Sequence, residues 1–198
     1  MSDGVVKVEP LNAFEVDGSE NIWVFGYGSL MWNPGFNYIR SVPGHICGYH
    51  RRFCLYSHTY RGTPQKPGLV LGMDRGGSCR GVLFEVAAEN VEIALDYLWH
   101  REEMPMGVYK TKKVPVLQNG SMDGKVNACV FVINRQHQDY YPDTCRDKAA
   151  DLIHRAHGVR GSNLEYLENT VFHLQSMGII DRQLEDLLHR VSSRLTET

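Results

Sequence analysis

The stretch Leu69–Val86, LVLGMDRGGSCRGVLFEV, holds two short apolar runs separated by polar and glycine residues. Leu69–Met73 and Cys79–Val86 are rich in β-branched and aliphatic side chains, which suit a pleated, half-buried surface. Asp74-Arg75-Gly76-Gly77-Ser78 between them has hairpin-turn composition, so the stretch predicts two antiparallel strands. A second hairpin follows the same logic, Tyr109–Leu117 and Lys125–Ile133 across a turn containing Asn119-Gly120. Upstream, Ile22–Phe25 is a short apolar run ending in Gly26-Tyr27-Gly28-Ser29, and Ile46–Tyr56 is a further strand candidate. Residues 57–68 carry Gly62, Pro64, Pro67 and Gly68 and predict a loop.

Helical spacing enters between and after these strands. Val91, Ala94, Leu95 and Leu98 recur at helical intervals and predict a helix over 90–103. Thr144–His157 reads as a second helix, stopped by Gly158. Ser162 and Glu165 form a capping-box pattern for a third, running toward Gly178. Asp181 caps a fourth, amphipathic through Leu184, Leu187, Leu188, Val191 and Leu195. Strands linked by hairpins, one inserted helix and a helical C-terminal part predict an α+β domain. Its sheet should be largely antiparallel or barrel-like rather than doubly wound.

The chain has 198 residues, 42% apolar and 22% charged, enough for one domain with a hydrophobic core. Its formal charge of −2 lacks the basic excess of a nucleic-acid binder. No apolar run is long enough to span a bilayer, and residues 1–21 lack the cationic flank and apolar stretch of a secretory signal. They read as an N-terminal arm or edge strand before a single domain over 22–198. Five cysteines, Cys47, Cys54, Cys79, Cys129 and Cys145, show no CxxC spacing and read as reduced thiols.

Several groups bear on chemistry. Gly26-Tyr27-Gly28-Ser29-Leu30, after a buried strand, has the small residues of a backbone nest that binds carboxylate or phosphate. The alternative is a glycine turn that only redirects the chain. No GK[ST] follows, so it is not a P-loop. The apolar stripe at 91, 94, 95 and 98 extends by helical spacing to Glu102, which aims that carboxylate at the core, whereas Glu103 falls on another face. A carboxylate on a buried stripe is costly unless paired or used, and burial suits it to acid–base work. The alternative is a helix fraying before Pro105, with Glu102 reaching solvent or Arg101. His100, His154 and His157 lack zinc-site spacing and read as surface residues. Tyr166 reads as a helix residue packed on the sheet. Tyr49-His50-Arg51-Arg52-Phe53, with Arg61 and Lys66, would attract an anionic small ligand or form a solvated strand face.

Together these segments resemble the ChaC family of γ-glutamylcyclotransferases. The resemblance runs through Trp23–Pro34, Arg51-Arg52-Phe53, Arg61–Pro64 with Lys66-Pro67-Gly68, Gly81–Phe84, Tyr97–Glu102, Gly107-Val108-Tyr109, Asn163 and Glu165-Tyr166-Leu167. It implies a mixed β-barrel with flanking helices. It implies an enzyme of the cytoplasm that needs no cofactor or metal and converts glutathione to 5-oxoproline and cysteinylglycine. It implies that Tyr27, Gly28, Ser29 and Leu30 hold the glutamyl moiety, that Glu102 is catalytic and that Tyr166 lies at the site. The partner implied is a small molecule, with no nucleic acid and no membrane, and the oligomeric state is left open. One departure bears on register. Many bacterial relatives have Met directly after the glutamate, whereas Glu103 intervenes here, so counting back from Gly107 selects Glu103 and counting forward from Leu98 selects Glu102. The helical stripe favours Glu102. Rival readings are a cyclotransferase for other γ-glutamyl amines or amino acids, a non-catalytic γ-glutamyl-binding regulator associated with cation transport, and a phosphate-binding module.

Overall fold

The computed structural model describes residues 14, 16, 19–102 and 107–194. Five strands form a closed barrel: β1 (Ile22–Gly26), β2 (Arg40–Ser57), β3 (Gly68–Val86), β4 (Tyr109–Gln118) and β5 (Lys125–Ile133), in the order β1-β3-β2-β4-β5. Neighbours are antiparallel except at the closure, where β1 runs parallel to β5 through Trp23↔Ala128 and Val24↔Cys129. Helix α1 (Val91–Arg101) is inserted between β3 and β4. Helices α2 (Arg146–Arg155), α3 (Asn163–Ser176) and α4 (Arg182–Ser193) follow β5, and a two-stranded ribbon, β6 (His157–Gly158) and β7 (Gly161–Ser162), precedes α3. The architecture is α+β, a mixed barrel with flanking helices.

The hairpin turn expected at Asp74–Ser78 is a correction. Leu69–Val86 lies within one continuous strand, β3, which pairs with β2 along its whole length. The glycines make a bulge instead of a reversal. Ser78 pairs with Cys47 and Arg75 with Tyr49, and Gly48, Gly76 and Gly77 absorb the irregularity at φ of 85°, 98° and 67°. An extra residue on one strand bends and twists the sheet, which helps a long hairpin wrap into a barrel. Strand β2 likewise begins at Arg40, earlier than its apolar run, because backbone pairing with Glu85–Arg80 extends it. The β4–β5 hairpin lies where expected. Asn119 (φ 51°) and Gly120 (φ 72°) sit inside a turn closed by the Ser121 N–H donating to the Gln118 carbonyl at 2.8 Å, the left-handed pair such a tight reversal demands.

Barrel-interior side chains include Phe25, Ile46, Met73, Leu83, Val116 and Val130. Helix α1 lays Val91, Ala94, Leu95 and Leu98 on Val24, Val86 and Phe131. Helices α2–α4 cover Phe53, Leu69 and Leu71 with Ile153, Leu167, Leu174, Leu187 and Val191. Each such side chain stabilises by roughly 1.5–3 kcal/mol when fully buried, so both helical layers hold the elements that carry the site. Phe14, from the N-terminal stretch, is buried edge-on against Phe131 at 5.2 Å.

The helix caps are local. Ser162 Oγ accepts from the Glu165 N–H at 3.1 Å, but the Glu165 carboxylate lies 3.6 Å from Arg61 Nη1, so the capping box is half realised. Asp181 Oδ1 accepts from the Leu184 N–H at 3.3 Å. Among the described residues no helix is long and apolar enough to cross a membrane.

Candidate active site

Strand β1 ends at Gly26 in the barrel wall, and Tyr27-Gly28-Ser29-Leu30 turns away from it into one turn of 3-10 helix at Ser29–Met31. That turn is closed by the Met31 N–H on the Gly28 carbonyl at 2.9 Å. The first N–H groups of a helical turn have no carbonyl behind them within it, so the peptide groups here are presented to whatever lies in front.

Glu102 lies in front. The apolar stripe of α1 continues to it, and its N–H still donates to the Leu98 carbonyl at 2.9 Å, so it closes the helix rather than fraying. Its side chain is 16% exposed, with Oε1 3.8 Å from Arg101 Nε. Together with Tyr27, Gly28, Ser29 and Leu30 it lines a cavity of about 90 Å³ completed by Val70 and Leu71 of β3, Tyr109 of β4, Phe131 of β5 and Tyr166 of α3. The six residues singled out in the sequence thus line one cavity. Glu103 lies outside the described residues.

Among the described residues of the cavity, three phenols accompany one carboxylate, Glu102. Burial pushes the Tyr27 hydroxyl far above its ordinary value, and the Glu102 charge adds to this. Tyr109 is raised in the same way, by burial first and then by neighbouring anionic groups including Glu102. Tyr166 is pushed up to about 12 by burial, against an opposing backbone hydrogen bond from Leu71. All three therefore stay protonated at neutral pH. The Tyr109 hydroxyl donates to the Leu71 carbonyl at 2.9 Å, which fixes its ring across the cavity. Such a site offers a proton acceptor, neutral hydroxyls and a turn of backbone amides among buried side chains, where electrostatic interactions are stronger than in water.

Arg101 and Tyr109 belong to this constellation although neither stands out as a site residue in the sequence. Arg101 donates to the carbonyls of Asn33 (2.6 Å) and Pro34 (3.3 Å), to the Tyr97 hydroxyl (2.9 Å) and to Ser29 Oγ (3.1 Å). It ties the end of α1 to the turn facing it. The i−4 spacing to Tyr97 is a sequence-level hint, but the reach to Ser29 is tertiary. Tyr109 opens β4 directly after the described residue pair Gly107-Val108, and nothing in its periodicity marks it.

Other candidates lie elsewhere. Arg51 is 3% exposed and does not line the cavity. Arg52 is 3.4 Å from Asp74 and donates to the Tyr141 carbonyl at 2.6 Å. Arg61 stacks over the Tyr166 ring at 5.2 Å, which places it beside the site. His100 is exposed, 3.6 Å from Asp96. The cysteines are free thiols, and among the described residues no group of three His, Cys, Asp or Glu side chains is arranged to hold a metal ion. A larger groove of about 800 Å³ runs along the outer face of β2 and β3, lined by residues that include Trp32, Tyr38, His45 and Arg80. Among the described residues no carboxylate lines it, whereas Glu102, the carboxylate that the helical stripe singles out, lines the smaller cavity.

A family model described as ChaC-like protein matches residues 22–194. The glutathione-specific γ-glutamylcyclotransferase of Escherichia coli (strain K12) is 40% identical over 178 residues, covering 89% of this chain and 75% of that protein. The glutathione-specific γ-glutamylcyclotransferase 1 of Mus musculus is 35% identical, covering 88% and 79%. The crystal structure of a selenomethionine-labelled γ-glutamylcyclotransferase specific to glutathione from yeast matches with a TM-score of 0.78 at 24% identity, covering 88% of this chain and 96% of that one. That last likeness speaks to the fold.

Proposed function

The chain belongs to the ChaC-like family, and from that premise we propose that it is a glutathione-specific γ-glutamylcyclotransferase acting in the cytoplasm with Glu102 as its proton shuttle. The observation that carries the mechanism is the position of Glu102, a carboxylate delivered by a buried helical stripe to the cavity wall formed by Tyr27–Leu30. Relatives 35% and 40% identical over most of the chain carry the same activity in their names.

The reaction is an intramolecular aminolysis. The α-amino nitrogen of the γ-glutamyl residue attacks its own γ-carbonyl carbon, forming the C–N bond of a five-membered lactam. The amide bond to cysteine then breaks, giving 5-oxoproline and cysteinylglycine. Two protons leave the α-nitrogen as the ammonium becomes a lactam N–H; Glu102 accepts them one at a time and passes each to the departing nitrogen, which leaves as the ammonium of cysteinylglycine, so charge and protons balance over the cycle. Backbone amides of Tyr27–Leu30 hold the α-carboxylate, and the Tyr166 and Tyr109 hydroxyls bound the remaining space. Folding the substrate so that amine meets carbonyl is an orientation effect, worth roughly 7–11 kcal/mol in favourable intramolecular cases. No step calls on a metal or cofactor. Arg61, whose guanidinium lies over the Tyr166 ring, is the candidate to meet the glycyl carboxylate of the leaving half.

Purified protein incubated with glutathione in chelator-containing buffer is expected to release 5-oxoproline and cysteinylglycine. Its kcat/KM should be higher for glutathione than for γ-glutamyl-alanine or γ-glutamyl-lysine. Absence of 5-oxoproline defeats the assignment. Comparable kcat/KM on the three substrates moves the chain to a broader cyclotransferase, and metal-restored activity after chelation overturns the mechanism.

A further inference from the structure

Arg51 combines strong positive charge with near-complete burial, and it does not line the cavity that holds Glu102. Its fork is spent on backbone. Nη1 donates to the Tyr27 carbonyl at 2.6 Å, and Nη2 donates to the Arg80 carbonyl. Nη1 also lies 4.0 Å from the Met31 sulfur, in the turn that follows Leu30. Nε lies 3.1 Å from Asp181 Oδ2, an ion pair rather than an aligned hydrogen bond. Asp181 uses its other oxygen to cap α4. A guanidinium cannot shed its charge and is matched to planar, two-point hydrogen bonding.

The consequence falls on the peptide between Tyr27 and Gly28. A trans peptide is planar, with its C=O and N–H pointing in opposite directions. A carbonyl pinned on Arg51 turns the Gly28 N–H the other way, and Gly28 is part of the cavity wall. Were this peptide to rotate, a partially negative carbonyl oxygen would face the cavity in place of a donor. We infer that Arg51 is a positioning residue: it locks the Tyr27–Gly28 peptide with its amide toward the glutamyl carboxylate, and Asp181 at the head of α4 holds the guanidinium in that place. This rests on the cyclotransferase reading above and adds a link from the C-terminal helix to the substrate-binding turn.

The test is steady-state kinetics on glutathione, with thermal unfolding, for the wild type, Arg51→Lys, Asp181→Asn and the double variant. Lysine keeps the charge but not the fork that reaches two carbonyls. Asparagine keeps the helix cap, since Asn and Asp cap equally well, but removes the ion-pair partner. The glutamyl carboxylate does not react, so its binding is lost in ground and transition states together. KM is therefore expected to rise about tenfold or more in Arg51→Lys, or ~1.4 kcal/mol, with a smaller change in kcat. Asp181→Asn should shift KM in the same direction. The double variant should be no worse than Arg51→Lys, because both act through one contact. Folded single variants with wild-type KM, measured well below their Tm, overturn the inference and leave the cyclotransferase reading intact. If Arg51→Lys does not fold, Asp181→Asn decides alone, and an unchanged KM overturns the inference. A wild-type protein that makes no 5-oxoproline overturns the activity and this inference with it.

Discussion

Glu102→Gln replaces a proton-accepting carboxylate oxygen by an amide of nearly the same shape. The Glu102 side chain is 16% exposed and its ion pair with Arg101 spans 3.8 Å. A partly exposed pair at that distance contributes at most about 1 kcal/mol. Arg101 keeps its bonds to Asn33, Pro34, Tyr97 and Ser29, so no buried cation is orphaned. The Glu102 N–H to Leu98 carbonyl bond belongs to the backbone and is untouched. For a protein of this size the expected drop in Tm is therefore about 4 °C or less. Against that small structural cost stands the loss of a general acid–base group, which typically lowers kcat by about 10²–10⁴-fold, or ~2.7–5.4 kcal/mol in barrier. Measured as 5-oxoproline release from glutathione, Glu102→Gln should show that fall in kcat with little change in KM, and its pH–rate profile should lose the acidic limb. Glu103→Gln, assayed in parallel, should change kcat by less than about tenfold. A dead Glu103→Gln beside an active Glu102→Gln would refute the helical-register reasoning by one residue. Two active variants would remove the carboxylate shuttle altogether.

Gly28→Val should fold and fail to bind. A Cβ on Gly28 would sit 3.4 Å from Leu71 Cδ1, an ordinary contact, while the branched side chain occupies a cavity of only about 90 Å³. The loss in kcat/KM should be on the order of 100-fold or more, and a folded variant that binds 5-oxoproline like the wild type refutes the site. The Asp74 network makes a separate, pH-dependent prediction. Burial raises the Asp74 carboxyl, but hydrogen bonds from Arg135, Tyr140 and the Arg75 amide outweigh it and hold it below the usual range. Its contribution to stability is present above the unfolded value, near 3.9, and is lost as pH falls through the lower folded value. Asp74→Asn should therefore lower Tm at neutral pH by removing charge-assisted bonds worth about 1.5–3 kcal/mol each. It should also flatten the fall of Tm below about pH 4, and an unchanged slope in calorimetry would show that Asp74 does not govern acid unfolding.

Local features of the chain carry local consequences, and these are legible without the fold. The 91, 94, 95, 98 spacing sets a buried helical stripe and delivers Glu102 to its end. Asn119-Gly120 sets a tight reversal, because few other residues accept left-handed backbone at both positions. Ser162 and Asp181 cap their helices through bonds to the N–H three residues on. The family motifs add the turn at Tyr27–Leu30 and Tyr166, each tied to a short segment of sequence. What the chain could not decide locally is which segments meet. Gly76-Gly77 has the same composition in a turn as in a bulge, and only the presence of β2 alongside makes β3 run straight through. Arg51 reads on a strand as a cation for an anionic ligand; barrel closure and the docking of α4 bury it and direct its fork at the Tyr27 carbonyl. The three raised phenols follow from the same cause, since burial and the nearness of Glu102 arise from β1, α1, β4 and α3 converging on one cavity. Backbone periodicity is a short-range property, fixed by neighbours within a few residues. Desolvation and charge proximity are long-range properties, and the packing of the whole barrel sets them.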